Sequence, residues 1–399
     1  MARPLKSNIW KYGLLLVTNK RVFIAILGAY YLTVPGVGLA EVGLLLLAGQ
    51  LAGFVLEVPS GYISDKIGHR KALVISHAFL IFSTVGFIMA NNLTILILAS
   101  VLLSGGFAFH SGTGNAFMHE TLKGLGREKD YAMVMGKLSS FGFAVPIIFS
   151  ATAPFLVAIS FKLTFVAMLV VDAVGLIAAI SLVPPPVPPE HIKEIGLTNF
   201  HQVIQEGYRL GFFAFALFSG IVAGILFGVE GFRSVYQVFI GIPVIWLGVF
   251  FGIGRGLASI MLIYSGRISA ALSTFSFYRI EVLAYSLFTL LLAFVATPWV
   301  VAAAFIAINA FHWGVHKVHH VHMMEIISDS RFKATLLSTE AQIGHIVSAG
   351  AAFGIGLTIE YFSYESGFLM AGLAFLAMLV PLYLVIAKRP RAMVRPAHS

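Results

Sequence analysis

The chain has 399 residues, of which 59% are hydrophobic and only 11% charged, a balance that excludes a water-soluble globular domain of this length. It contains no cysteine, which excludes disulfides, thiolate metal sites and thiol catalysis. Its net charge of +9 falls almost wholly in loops of one parity, the signature of membrane topology rather than of a nucleic-acid surface.

Apolar runs of about 20 residues recur along the whole chain, the length one helix needs to cross the hydrocarbon core. They are continuous rather than alternating, so a transmembrane barrel is excluded. Residues 1–19 hold Arg3, Lys6 and Lys11 and an amphipathic stretch at 8–18 with Trp10 and Tyr12, expected to lie at the interface. No small-residue cleavage site follows the first apolar run, so no removable signal peptide is expected.

Six spans follow at 20–35, 40–64, 71–90, 93–118, 131–159 and 163–183. Residues 184–208 form a polar, proline-rich linker, PPPVPPEHIKEIG, that runs into a short helix, TNFHQVIQEGYRL. Six more spans lie at 209–238, 243–265, 279–296, 298–325, 334–360 and 365–387, with a basic tail at 388–399. The pattern predicts an all-α membrane protein of twelve transmembrane helices, with six-helix bundles at 20–183 and 209–387 related by a pseudo-two-fold axis. Arg21, Lys66, Arg70, Lys71, Lys123, Arg127, Arg267, Arg279 and Lys388 share one side, against Lys162 and Arg233 on the other, which places both termini in the cytoplasm.

Between the second and third spans stands Gly61-Tyr62-Ile63-Ser64-Asp65-Lys66-Ile67-Gly68-His69-Arg70-Lys71. Its glycine, aspartate and basic residues fit the pattern G-x-x-x-D-[RK]-x-G-x-[RK]-[RK], and Glu57-Val58-Pro59-Ser60 precedes it. In type, spacing and position the segment resembles the signature of the major facilitator superfamily, of bacterial small-solute type. Gly61 would allow close helix approach, Asp65 would end a helix, and Gly68 would take a turn at positive φ. The resemblance implies a gating role for Gly61, Asp65, Lys66, Gly68, Arg70 and Lys71, with Asp65 facing the start of the eleventh span near Lys333 to Leu336. It also implies residence in the cytoplasmic (inner) membrane. Many proton-coupled members carry an arginine midway along the fourth span; here that stretch offers Ser104 and His110.

An ionisable side chain at membrane depth is costly unless it is paired or wet, which makes each one a functional candidate. Glu57, His110, Asp172, Glu230, Arg233, Arg255, Glu340 and His345 qualify. Arg255, in Gly252-Ile253-Gly254-Arg255-Gly256, suits a carboxylate substrate or a buried pair with Glu230 or Asp172. Glu230 and Arg233 are equally spaced to pair with each other, and Asp172, central in the sixth span, has no evident partner.

The tenth span carries HWGVHKVHHVH, residues 312–322. At 100° per residue Asn309, His312, His316, His319 and Met323 fall within about 80° of one another, a stripe descending half the bilayer. It could bind substrate, carry protons, supply soft metal ligands, or be structural.

The expected function is a secondary active transporter moving a small solute by alternating access, proton-coupled, with His312 and His316 titrating and Arg255 anchoring an anion. His110, Asn309, His319 and Glu230 complete the expected path. One alternative is a copper-like metal carrier with His316, His319, His320 and Met323 as ligands. Another is a membrane di-iron enzyme, but the other eight histidines form no second box. No G-x-x-x-x-G-K-[ST] loop occurs, so ATP is not the expected energy source. Neither enzymatic activity nor a cofactor nor a nucleic-acid partner is expected; the partners are a small-molecule or ion substrate and the bilayer, and the protein is expected to be monomeric.

Overall fold

The structure, a computed structural model, describes residues 2–185, 198–326 and 330–388, except the side chains of a few helical stretches, among them 316, 317 and 320–325. All regular structure in the described residues is helical. The first crossing is broken, as α1 (Ala2–Thr18), a 3-10 turn (Val22–Ala25) and α2 (Leu27–Tyr31). Crossings two to six are α3 (Leu39–Ile67), α4 (His69–Met89), α5 (Leu93–Gly124), α6 (Tyr131–Val157) and α7 (Phe161–Ile180). The linker ends in α8 (Thr198–Leu210), and the seventh crossing is again broken, as α9 (Phe212–Gly231) and α10 (Arg233–Phe239). There follow α11 (Val244–Ile263), a short α12 (Ser265–Ala271), α13 (Thr274–Phe294), α14 (Pro298–Ile326), α15 (Ser330–Tyr361) and α16 (Tyr364–Ala387). Ten helices among the described residues are long and apolar enough to cross a membrane by themselves. With the broken first crossing and α6, they make the twelve-helix all-α membrane fold.

The chain divides into two compact units, one of Met1–Val37, Ala48–Lys193 and Pro243–Gly252, the other of Gly38–Leu47, Glu194–Ile242 and Ile253–Ser399. Each repeats the same pairings. In the first unit α4 packs on α5 and α7, α1 packs on α5, α6 and α7, and α6 packs on α7. In the second, α13 packs on α14 and α16, α9 packs on α14, α15 and α16, and α15 packs on α16. Crossing for crossing these are equivalent, the mark of an internal repeat.

The stretch expected at the interface, 8–18, is instead packed into the first unit, with Asn8, Tyr12 and Leu15 buried. Its polar residues close the end of α7, whose last carbonyls have no partner within the helix. Asn8 donates through Nδ2 to the Val183 carbonyl (2.8 Å) and accepts through Oδ1 from the Val183 amide (2.9 Å), while Lys11 donates to the Ser181 carbonyl (2.5 Å). Trp10 is the one exposed residue of the stretch 8–18.

In the second unit α9 and α15 meet through small residues, since lipid provides no hydrophobic drive between helices and close backbone approach must supply the attraction. Gly220, Gly224 and Gly228 lie at four-residue intervals, hence on one face. A Cβ at Gly224 would sit 2.6 Å from Val347 Cβ and 2.8 Å from the Ser348 amide nitrogen. Gly224→Ala is therefore expected to lower the apparent melting temperature of the detergent-purified protein, by an overpacking cost of about 1–3 kcal/mol. Gly350→Ala on α15, where nothing lies within 4 Å of a new Cβ, should leave it unchanged; equal behaviour of the two variants would refute close packing as the basis of this seam.

Candidate functional site

The signature loop forms at the turn from α3 to α4. Gly68 takes φ +92°, ψ 140°, a backbone region open only to glycine, and its carbonyl accepts from Ala72 as α4 begins. Asp65 is exposed and α3 continues two residues past it to Ile67, so the glycine rather than the aspartate ends the helix. Gly61 was expected to permit close helix approach; among the described residues nothing lies within 4 Å of where its Cβ would be. Arg70 donates to the carbonyl of Ile180 at the end of α7 (2.5 Å), and His69 bridges Ser64 Oγ (2.8 Å) and Glu120 Oε1 (3.3 Å). Lys66 and Lys71 are exposed. Of the expected partners of Asp65, the side chains of 333–335 lie outside the described residues.

Inside the first unit, Arg21 is buried rather than facing the cytoplasm with the topology charges. Its Nη1 donates to Asp172 Oδ1 of α7 at 2.7 Å, with side-chain exposures of 2% and 0%. Nη2 donates to the Thr18 carbonyl (2.6 Å), satisfying the broken end of α1, and Thr84 of α4 donates to the second Asp172 oxygen (2.6 Å). Asp172 thus has its partner within its own unit, and it is not Arg255. Nearby His77 is held between the Leu73 carbonyl (3.1 Å) and Thr18 Oγ1 (3.4 Å). His110 of α5 is buried beside Tyr12 and His77, and neither ring nitrogen has a partner among the described residues.

The second unit holds two polar layers. At 1.5 Å per residue, Arg255 and Asn309 lie eleven residues, about 16 Å, below the starts of α11 and α14, two helices that begin on the same side of the membrane. Arg255 lies over the ring of Trp313, 4.2 Å from its centroid, and within electrostatic reach of Glu230 and Arg233. Those two pair with each other across the break between α9 and α10, Arg233 Nη1 donating to Glu230 Oε2 at 2.6 Å. Gly254 brings α11 against Asn309, whose Cβ would stand 3.1 Å from a Cβ placed there. Glu230 Oε1 and Asn309 Oδ1 are buried acceptors with no hydrogen-bond partner among the described residues. One turn below Asn309, His312 stands edge-on to Tyr285 of α13 (6.5 Å).

The lower layer lies towards the other end of α14. His319 Nδ1 meets Glu281 Oε2 of α13 at 3.2 Å, with side-chain exposures of 10% and 2%, among the rings of Phe218, Phe277 and Tyr278. Ser219 of α9 donates to Glu340 Oε1 of α15, and Glu340 is within electrostatic reach of His319. His316, His320 and Met323, named for the proton path or the metal alternative, have side chains outside the described residues. Among the described residues no three His, Cys, Asp or Glu gather as a metal ion would need.

A model of the Major Facilitator Superfamily matches residues 12–330. The chain belongs to this superfamily. A search of curated protein sequences finds no match. Among solved structures, a mutant of the nucleoside transporter NupG superposes with TM-score 0.79 at 14% identity, covering 98% of this chain and 100% of that one. A bacterial homologue of the human lysosomal transporter Spinster gives 0.75 at 14% identity (99% and 98%), and a D-xylose–proton symporter gives 0.73 at 11% (95% and 96%). At such identities the likeness speaks for the fold alone.

As a superfamily member the protein is a multi-pass membrane transporter, not an enzyme, and the bilayer and a small-molecule substrate are its partners. Of the path residues named from sequence, Arg255, Asn309 and Glu230 fall in the upper layer of the second unit, His312 just beneath, and His319 in the lower layer, while His110 belongs to the first unit. Sequence reasoning missed Glu281, Trp313, Thr84 and the burial of Arg21. Asp172→Ala should strand a buried guanidinium and cost about 3–5 kcal/mol in detergent unfolding measurements, while the double variant Arg21→Met/Asp172→Leu should recover most of it. Wild-type stability in the single variant would show that this pair does not hold the break.

Proposed function

We propose that this protein is a proton-coupled secondary transporter of a small solute, working as a monomer by alternating access in the cytoplasmic membrane with both termini inside. The observation that carries the reading is the buried Glu281–His319 pair with Glu340 close by. Two carboxylates and one imidazole meet there in a low-dielectric interior, where gaining or losing a proton changes the charge to be balanced and an unmet charge costs several kcal/mol. Gaining or losing that proton therefore changes how well α13, α14 and α15 pack, which is what coupling requires. The titrating role expected of His312 and His316 passes to this cluster on α13, α14 and α15. The likeness in fold to a D-xylose–proton symporter supports the same reading, and the one-sided distribution of Lys and Arg supports the orientation.

The test uses proteoliposomes with an entrapped pH dye, to which sugars, nucleosides and organic acids are added one at a time. The solute that is carried should move protons with it and accumulate against its gradient only when a pH difference is imposed. Glu281→Gln should abolish that accumulation yet leave exchange of solute across the membrane intact. Accumulation by the wild type without any proton movement would end the proposal.

A further inference from the structure

The signature pattern leaves position 69 open, and this chain fills it with histidine. We propose that His69 is a protonation-dependent lock on the signature loop: its imidazolium, seated between Ser64 and Glu120, holds the turn from α3 to α4 against the end of α5, and loss of its proton loosens that turn. In the orientation proposed above the lock faces the cytoplasm and reads its pH; the lock itself does not depend on which solute is carried.

Three helix ends meet at this ring. His69 opens α4, Ser64 lies in the last turn of α3, and Glu120 stands near the end of α5. The positive φ of Gly68 folds the chain back sharply enough for Ser64 and His69, five residues apart, to meet. Nδ1 lies 2.8 Å from Ser64 Oγ, and Nε2 lies 3.3 Å from Glu120 Oε1. The imidazole is 11% exposed and the carboxylate 22%, shielded from most solvent screening yet within reach of protons.

Both hydrogen bonds can form in either protonation state, because a neutral imidazole donates through Nε2 and accepts from the Ser64 hydroxyl through Nδ1. What the second proton adds is charge. It turns the contact with Glu120 into a hydrogen bond between ions, which is shorter and stronger. Glu120 has use for that charge: its other oxygen, Oε2, is buried with no hydrogen-bond partner among the described residues, and His69 is the ionisable group in contact with Oε1. Imidazole is the side chain whose charge ordinarily changes between about pH 5 and 8, so the contact passes from ionic to neutral as pH rises through that range.

The surrounding charges have other places. On α3 and α4, Asp65, Lys66 and Lys71 are exposed and Arg70 is bound to the Ile180 carbonyl. On α5, Lys123 is exposed and His119 meets Glu128 of the following turn at 3.3 Å, with exposures of 46% and 53% at which an ion pair contributes little. In that turn Arg127 pairs with Asp130, and Lys129 is exposed. Of the helices packed on α4 and α5, α1 has Lys11 on the Ser181 carbonyl and Lys6 exposed, α6 has Lys137 exposed, and α7 has Asp172 on Arg21. Among the described residues none of these groups forms an ion pair with His69 or Glu120.

The test is hydrogen–deuterium exchange on the purified full chain in detergent at pH 6 and pH 8, with labelling times scaled for the intrinsic pH dependence of amide exchange. The amides of Gly68 and Ala72, which donate to the Ser64 and Gly68 carbonyls, report the turn. Protection of residues 61–73 should be about fivefold higher at pH 6 than at pH 8, the difference between an ionic and a neutral hydrogen bond. His69→Gln keeps a donor for Glu120 and an acceptor for Ser64 but cannot be charged, so it should show equal protection at both pH values. Glu120→Gln, which removes the opposite charge and leaves His69 in place, carries the same expectation should His69→Gln fail to fold. His119→Gln should keep the fivefold ratio. Equal protection of the wild type at the two pH values, a ratio retained in His69→Gln or Glu120→Gln, or a ratio lost in His119→Gln would each overturn the proposal. No solute and no gradient enter, so the outcome is independent of the coupling experiment.

Discussion

Hydrocarbon offers a charge nothing to bind, and that constraint organises the interior of this protein. Each ionisable group at depth costs several kcal/mol unless a partner meets it, so the chain spends local structure to bring partners together. The broken first crossing is one example. With α1 ending at Thr18, Arg21 can turn back to bind the Thr18 carbonyl while reaching Asp172. One guanidinium thus satisfies a helix terminus and a buried carboxylate, and Thr84 takes up the remaining oxygen. A continuous helix would carry its hydrogen bonds unaided and leave Asp172 alone in the core.

The seventh crossing repeats the break with a different outcome. Arg233 opens α10 immediately after the interruption, but its carboxylate, Glu230, lies three residues back on the same crossing rather than on a neighbouring helix. In the first unit the ion pair ties one helix to another and both carboxylate oxygens are taken. In the second, one oxygen has no donor among the described residues, and Asn309 adds another such acceptor. An internal repeat with equivalent helix pairings has thus been filled with side chains for two tasks. At its break the first unit saturates the ion pair on both carboxylate oxygens; at the equivalent break the second leaves one acceptor oxygen without a donor among the described residues.

The architecture was legible because its signal is coarse. A run of about 20 apolar residues needs no partner to be recognised, and the turn glycine of the signature loop, Gly68, stands out because no other residue tolerates its backbone. The charges that escaped lie near the ends of the expected spans. Arg21 and Glu281 fall within two residues of the expected starts at 20 and 279, where a charge reads as solvated. The structure begins the first crossing at Ala2 and the ninth at Thr274, and both charges become interior. Hydropathy averages over a window, so one paired charge blurs a boundary without declaring its partner. For Gly61 the type suggested close packing, and among the described residues nothing lies within 4 Å of where its Cβ would be.

Within the second unit α14 runs through both polar layers, as α9 does with Ser219 and Glu230. Asn309 and Trp313 belong to the upper one and His319 to the lower; ten residues separate Asn309 from His319, a rise of about 15 Å. In the proposed coupling, a proton taken up at the lower layer can reach the upper one by mechanical means, because both layers hang on the same helix. The helix provides them. His319 is held to α13 by Glu281, Asn309 is pressed against α11 at Gly254, and His312 packs on Tyr285 between them. Neutralising Glu281 would loosen α14 from α13 at one end of a stiff rod whose other end carries the Trp313 face on which Arg255 rests. The proposed coupling then rests on one protonated contact and one helix rigid enough to transmit its loss, rather than on a relay of titrating histidines along the stripe.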